Sequence, residues 1–226
     1  MRLVVLTGAG ISAESGIPTF RGARGLWEGH RIEEVASREA WHADQEKVLR
    51  FYNERRKGIR MAEPNAGHLR LAEMQEEFDV WIITQNIDDL HERAGSENIL
   101  HLHGEIMKAR STGPSETLID WTTDIRKGDV CEEGYQLRPH IVWFGEMVPM
   151  MDPAIDIVST ADALAVVGTS MVVYPAAGLV QFAPPGCPIF VVDPNPPASP
   201  AAWNIIAEPA STGVARLHEH LRKRNG

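Results

Sequence analysis

The sequence predicts an α/β fold: a parallel sheet with helices on both faces and a small irregular subdomain inserted into it. Three observations predict it. Short apolar runs alternate with helix-length amphipathic stretches, the pattern of a parallel sheet. Residues 163–192 carry no charged side chain, yet Gly168, Pro175, Gly178 and Pro184-Pro185-Gly186 break them into short pieces. Residues 105–140 lose all periodicity at Gly113-Pro114, Lys127-Gly128-Asp129 and Glu132-Glu133-Gly134. A chain of 226 residues supports one core with a small appendage.

The first element is a strand over residues 2–6 that ends at Thr7-Gly8-Ala9-Gly10. Residues 31–78 are rich in helix formers; one helix is expected over 45–61, and Pro64 is expected to open the last of the group. The second convincing strand, residues 80–84, ends at Gln85-Asn86. Residues 155–160 close a helix ahead of a strand over 164–167. Residues 175–182 read as a helix that begins on proline, and residues 189–192 as a further strand buried on both faces. A final helix is expected over 212–223. No repeat, low-complexity segment or flexible linker interrupts this plan.

Composition excludes several classes of function. With 31 acidic and 22 basic side chains the net charge is −9, which argues against broad phosphate neutralisation and hence against nucleic acid as a partner. The glycines and prolines of 163–192 argue against a membrane helix there, and the apolar run over 3–6 is far too short for a signal-peptide core. Cys131 and Cys187 are the only thiols, so neither a disulfide framework nor a four-thiolate metal cage can be built. A cytoplasmic monomer with no membrane partner is the expectation.

Gly8-Ala9-Gly10-Ile11-Ser12-Ala13 directly follows the first strand. Two glycines there let the backbone turn tightly and approach a pyrophosphate, whose charge then meets helix N-terminal N–H groups. Taken alone the motif is weak. A conventional nicotinamide dehydrogenase also needs a short crossover to a second strand bearing an acid, and none follows, so hydride transfer is disfavoured while a dinucleotide site is not.

Residues 8–22 read GAGISAESGIPTFRG and residues 85–91 read QNIDDLH. His103-Gly104, then Trp143-Phe144-Gly145-Glu146, then Gly168-Thr169-Ser170 follow in order. This ordered set resembles the sirtuin family of NAD-dependent protein lysine deacylases, over nearly the whole chain. The resemblance implies a Rossmann-like NAD-binding part, here about 1–30, 62–104 and 141–226, and a small subdomain from about 31–61 and 105–140. NAD and an acyl-lysine of a protein substrate would share the cleft between them.

The resemblance assigns roles that elementary chemistry supports. His103 becomes the catalytic histidine, since a neutral imidazole is a natural base for a ribose hydroxyl near neutrality. His101, two residues earlier on an extended segment, points to the opposite face and reads as structural. Asn86 would position the ribose and a water, and Asp88 would accept from the nicotinamide carboxamide beside the Ile87 main chain. Gln85 belongs to the same loop, past a strand's carboxyl end where open α/β sheets hold ligands. Phe20 and Arg21 would cover the ribose and match phosphate. Gly8, Ala9, Gly10, Ile11, Gly168, Thr169 and Ser170 would line the dinucleotide. Asp193 stands where an asparagine is usual and still accepts from ribose hydroxyls; Asn195 would share its task, with Ala210 near the adenine.

Substrate residues come from two places. Val48, Tyr52, Arg55 and Ile59 share one helical face, and Arg55 is the charged member of an apolar stripe. The bland alternative is an arginine whose head snorkels to water. The functional one is a phenol and a planar guanidinium reaching the cleft together, suited to a carboxylate. This pair looks like the Tyr-x-x-Arg of sirtuins that remove succinyl and malonyl groups, and Ala36 leaves room for a longer acyl chain. Trp143, Phe144 and Gly145 are expected to form an extended edge for substrate backbone.

One departure from the family stands out. Most sirtuins hold the small subdomain with zinc on two cysteine pairs, but Ser111 falls at the first cysteine position and Cys131 is the only thiol of the region. No zinc is expected, and Trp121 is the expected apolar anchor. The rival readings are a mono-ADP-ribosyltransferase using the same NAD site and a non-catalytic NAD-sensing module.

Overall fold

The computed structural model describes residues 1–19, 26–27 and 30–225. The chain opens with β1 (Arg2–Thr7), α1 (Ala9–Ser12), β2 (Leu26–Trp27), β3 (His30–Arg31), α2 (Ile32–Val35), α3 (Arg38–Ala43) and α4 (Gln45–Met61). Next come α5 (Ala66–Glu73), β4 (Asp79–Thr84), α6 (Leu90–Arg93), β5 (Ile99–His101), β6 (Gly104–Ser111), β7 (Leu118–Asp120) and β8 (Leu137–Ile141). The last part holds α7 (Met151–Val158), β9 (Ala163–Val167), a 3-10 helix over Ala176–Phe182, β10 (Ile189–Val192), β11 (Asn204–Ile206) and α8 (Ala210–Asn225).

Six parallel strands form the main sheet in the order β11-β10-β9-β1-β4-β5. Its central strands are continuous apolar runs because both faces are covered. Leu71 of α5 and Val214 and Leu217 of α8 pack against Leu3 and Val5 on one face. Ala154 and Val158 of α7 and Leu179 of the 3-10 helix pack against Val4 and Leu6 on the other. The alternation of strand residues between these two cores follows from the two-residue side-chain period. Among the described residues no helix is long and apolar enough to cross a membrane.

A third core joins Val48, Tyr52 and Ile59 of α4 to Ile106, Leu137, Ile141 and Trp143. α4 occupies the span expected for it, begun by Asp44, whose carboxylate accepts the Lys47 N–H at 2.9 Å. The expected stripe is buried, Arg55 included. Its neighbour Arg56, which the stripe does not contain, is buried more completely. Arg56 donates through Nε to the Ile106 carbonyl (2.8 Å) and through Nη1 to Asn53 Oδ1 (2.7 Å), pinning α4 to β6; burial lowers its pKa to about 10.

Several sequence expectations are corrected. Residues 105–140 hold three strands that the sequence did not reveal, β6 pairing antiparallel with both β7 and β8, while the segments between them stay irregular. A register shift between Glu105 and Ala109 and the three-residue length of β7 destroy the alternation that would reveal them. Asn65, not Pro64, caps α5, its side chain accepting from Gly67 N at 2.9 Å. Residues 176–182 wind as a 3-10 helix with Pro175 at the cap, and the helix expected to close at 160 ends at Val158. Trp143-Phe144-Gly145-Glu146 is a turn, not an extended edge. The Glu146 N–H donates back to the Trp143 carbonyl at 3.0 Å, Gly145 takes φ +83, and Phe144 alone pairs, by a single bridge to Ser37.

Candidate active site

β1 lies between β9 and β4, so the chain departs from it in both directions and leaves a crevice at the carboxyl ends of these strands. That crevice opens into a cleft of about 240 Å³ bordered by the third core. Its wall takes Gly8, Ala9 and Gly10 from the β1–α1 turn, and Gln85, Asn86, Ile87 and Asp88 from the loop after β4. His103 comes from the turn after β5, and Gly168, Thr169 and Ser170 from the end of β9. Tyr52 and Arg55 of α4, Ala36, and Trp143, Phe144 and Gly145 close the other side.

Two backbones meet at the floor. Gly8 N–H donates to the Val167 carbonyl (3.1 Å) and Gly10 N–H to the Gly168 carbonyl (2.7 Å). A Cβ on Gly10 would sit 2.6 Å from Gly168 Cα, and Gly168 itself has φ +63, so both positions demand glycine. Gly10→Ala is expected to cost about 1–3 kcal/mol of stability through overpacking. Thermal unfolding and calorimetric NAD titration check this; unchanged stability and affinity would mean that the two loops separate freely.

A hydrogen-bond chain crosses this floor. Asn86 Nδ2 donates to the Gly8 carbonyl (3.2 Å) and to Ser12 Oγ (3.1 Å), and Ser12 Oγ donates to Asp88 Oδ2 (3.0 Å). Leu90 N–H donates to Asp88 Oδ1 at 3.2 Å. Burial raises the Asp88 pKa; the Ser12 and Leu90 hydrogen bonds and the His101 charge oppose it. Gln85 Nε2 donates to Thr169 Oγ1 at 3.2 Å, linking the β4 and β9 loops.

His103 brings a neutral imidazole to the cleft wall. Its Nδ1 lies 3.1 Å from the Gln85 carbonyl, which can only accept, so Nδ1 carries the proton and Nε2 keeps its lone pair. Burial lowers the His103 pKa below 6.5, with the Gln85 hydrogen bond opposing, which keeps the ring neutral at pH 7.

The far end of the cleft combines an apolar wall with polar tips. The Tyr52 ring meets Phe51 edge-on at 5.1 Å and lies 6.4 Å from the Trp143 ring. Burial pushes the Tyr52 hydroxyl pKa up, against the nearby Arg55 charge, so the phenol remains a donor. The Arg55 guanidinium lies 5.8 Å from the Phe51 ring centroid. Behind Trp143 stands a third buried arginine, Arg138, stacked 3.3 Å over the indole and held by Glu146 at 2.8 and 3.2 Å. Glu146 also accepts the Trp143 N–H at 2.8 Å, so one carboxylate fixes both the turn and the stacked cation.

The structure thus gathers most of the residues singled out from sequence. Ile11, Asp193, Asn195 and Ala210 are not part of the cleft wall. Ile11 packs in the sheet core, Asp193 accepts the Asn195 N–H at 2.8 Å beyond β10, and Ala210 starts α8. Phe20 and Arg21 lie outside the described residues. Ser12, Arg138 and Glu146 were missed. Ser12 had a signal, a hydroxyl inside the glycine turn, and Glu146 had one as the last residue of the Trp143-Phe144-Gly145-Glu146 motif; Arg138 had none until β8 and its turn brought it to Glu146.

A model of the Sir2 family matches residues 8–175. The NAD-dependent protein deacylase of Aggregatibacter actinomycetemcomitans is 54% identical over 193 residues, covering 85% of this chain and 93% of that protein. The NAD-dependent protein deacylase of Bacteroides thetaiotaomicron is 46% identical over 227 residues, covering 97% of each chain. The crystal structure of a Sir2 homologue in complex with NAD superposes with a TM-score of 0.88 at 40% identity, covering 100% of this chain and 91% of that one.

Proposed function

The chain belongs to the Sir2 family, and from that premise we propose that it is an NAD-dependent protein lysine deacylase acting on succinyl- and malonyl-lysine as well as acetyl-lysine. The observation that carries the acyl preference is that Tyr52 and Arg55 line the same cleft as His103 and Asp88. A planar cation and a protonated phenol at the end of an otherwise apolar wall suit a terminal carboxylate. Ala36, small and in the same wall, supports a longer acyl chain.

The donors and acceptors of the floor fit a dinucleotide. The Gly8-Ala9-Gly10 turn would border the phosphates closely, its Gly8 and Gly10 N–H groups being taken by the Val167 and Gly168 carbonyls, and Thr169 and Ser170 would supply hydroxyls. When bound, NAD supplies an electrophilic ribose carbon with nicotinamide as its leaving group. Asp88 accepts from the carboxamide, and Asn86 positions the ribose and a water. His103 Nε2 takes a ribose hydroxyl proton so that the acyl group passes to ADP-ribose. Tyr52 and Arg55 hold the acyl carboxylate while the turn at Trp143, Phe144 and Gly145 borders the lysine chain.

The donor set of the small subdomain does not fit the zinc site of the wider family. Ser111 and Cys131 are buried against each other at 3.2 Å between Oγ and Sγ, and Ser111 Oγ also accepts the Gly113 N–H at 3.0 Å. One thiol cannot replace four thiolates. Packing around Ile106, Ala109, Ile125 and Leu137, with Trp121 partly buried against them, supports a subdomain stable without metal. Metal analysis of the purified chain is expected to find well under one zinc per molecule, and chelation is expected to leave activity and thermal unfolding unchanged. One tightly held zinc per chain would overturn this.

The test of the function is a turnover assay with acetyl-, succinyl- and malonyl-lysine versions of one peptide plus NAD, with products identified by mass spectrometry. Free lysine peptide, nicotinamide and acyl-ADP-ribose are expected. ADP-ribose attached to protein with the acyl group retained would mark a transferase instead.

A further inference from the structure

His101 lies at the end of β5, on the side of the 85–89 loop away from the cleft, and both its ring nitrogens are engaged. Nδ1 is 3.1 Å from the main-chain carbonyl of Asn86, and Nε2 is 2.7 Å from Glu92 Oε1. A carbonyl and an ionised carboxylate only accept, so both nitrogens carry protons and the ring is an imidazolium. Burial is the largest single influence and works against that charge, yet the Glu92 hydrogen bond and charge, the Glu105 charge and the Asn86 hydrogen bond together hold the His101 pKa above 6.5. Glu92 answers in kind: against burial, its hydrogen bond to His101 together with the His101 and Lys108 charges keeps the carboxyl below its usual range.

We propose that His101 is a positioning residue for the nicotinamide half of the site: clamped by Glu92, its imidazolium fixes Asn86 through the main chain and balances the charge of the buried Asp88. This rests on the reading of the cleft as an NAD site. The groups that face His101 are Glu92 and His91 of α6, Asn86 and Asp88 of the loop, and Glu105 of β6 with its ion-pair partner Lys108. His91, buried, with its pKa held well below 6.5, adds no competing charge at neutrality. Glu105, held 2.9 Å from Lys108, adds its charge in favour of the imidazolium, and Glu92 is the acid that hydrogen-bonds it. The neighbouring Asn86 side chain is tied to Gly8 and Ser12, and its main-chain N–H to Thr84 Oγ1 at 3.0 Å, so the carbonyl held by His101 is the remaining anchor of that residue.

The consequence is a proton-linked site. A neutral imidazole has one N–H and cannot hold Asn86 and Glu92 at once. The anchor is intact below the raised His101 pKa and weakens as pH rises through it.

The experiment is calorimetric titration of the full-length chain with NAD from about pH 6 to about pH 9, a range spanning histidine titration. Wild-type affinity is expected to fall on the alkaline side. Glu92→Gln, at a half-exposed position, removes the clamp and is expected to move that fall to lower pH without lowering affinity at the acid end. His101→Gln is expected to abolish the pH dependence and weaken binding roughly tenfold, the scale of one charge-assisted interaction. Thermal unfolding checks the fold of each variant, and if His101→Gln does not fold, the Glu92→Gln profile decides alone. Unshifted profiles in Glu92→Gln, or a folded His101→Gln that binds like wild type, would overturn the proposal. A wild type that binds no NAD at any pH would instead strike down the underlying reading of the cleft.

Discussion

His103→Ala is expected to lower deacylation by at least about a hundredfold, the scale on which a positioned general base contributes, while leaving the fold intact. The residue sits in a turn after β5 and is only part-buried, so truncation opens no core cavity. Its one described hydrogen bond, to the Gln85 carbonyl, leaves that carbonyl at the cleft wall where water can replace the imidazole. The measurement is steady-state turnover of a succinyl-lysine peptide, paired with thermal unfolding of both proteins. Unchanged turnover would remove His103 from the chemistry. The acid limb of kcat/KM carries a related expectation. Because burial holds the His103 pKa below 6.5, its base form survives into mildly acidic solution, so this limb belongs below pH 6.5.

Arg55→Met is expected to separate the acyl substrates. Losing a charge-assisted hydrogen bond of about 1.5–3 kcal/mol lowers desuccinylation and demalonylation roughly 10- to 100-fold, while deacetylation stays within about threefold. Methionine keeps the volume and apolar stem of the side chain, which protects the packing of α4 against Phe51. Removing the buried charge of Arg55 also removes a desolvation cost, so the variant is not expected to unfold. Parallel kcat/KM values for acetyl, succinyl and malonyl forms of one peptide decide the matter. Equal losses on all three would show that Arg55 supports the fold and does not choose the acyl group.

Much of this site was legible in the chain because its pieces are local. A glycine turn after a strand, an Asn and Asp just past another strand, and a histidine before a glycine are each short local motifs, weak singly, whose order along the chain carries the family resemblance. α4 was legible for the same reason: a period of 3.6 places Val48, Tyr52, Arg55 and Ile59 on one face whatever surrounds them. The antiparallel sheet β6-β7-β8 was not, because its register shift and very short β7 erase the alternation on which such a reading depends. Pairing partners, not local pattern, create those strands.

The sequence by itself determined the parallel α/β plan and the glycine turn, since each rests on backbone freedom and side-chain period that adjacent residues carry; the residues offered for catalysis came from the ordered set of motifs that resembles the family. Only the tertiary structure decided which charges are buried and what they do. The helical stripe singled out Arg55 but not Arg56 or Arg138, and all three are buried: one lines the cleft, one pins α4 to β6 and one stacks behind Trp143. His101, a structural residue by its spacing from His103, becomes an imidazolium because α6 brings Glu92 to one nitrogen and the loop brings the Asn86 carbonyl to the other. Burial and charge pairing depend on groups distant in the chain, and their energies are set by the solvent that folding removes.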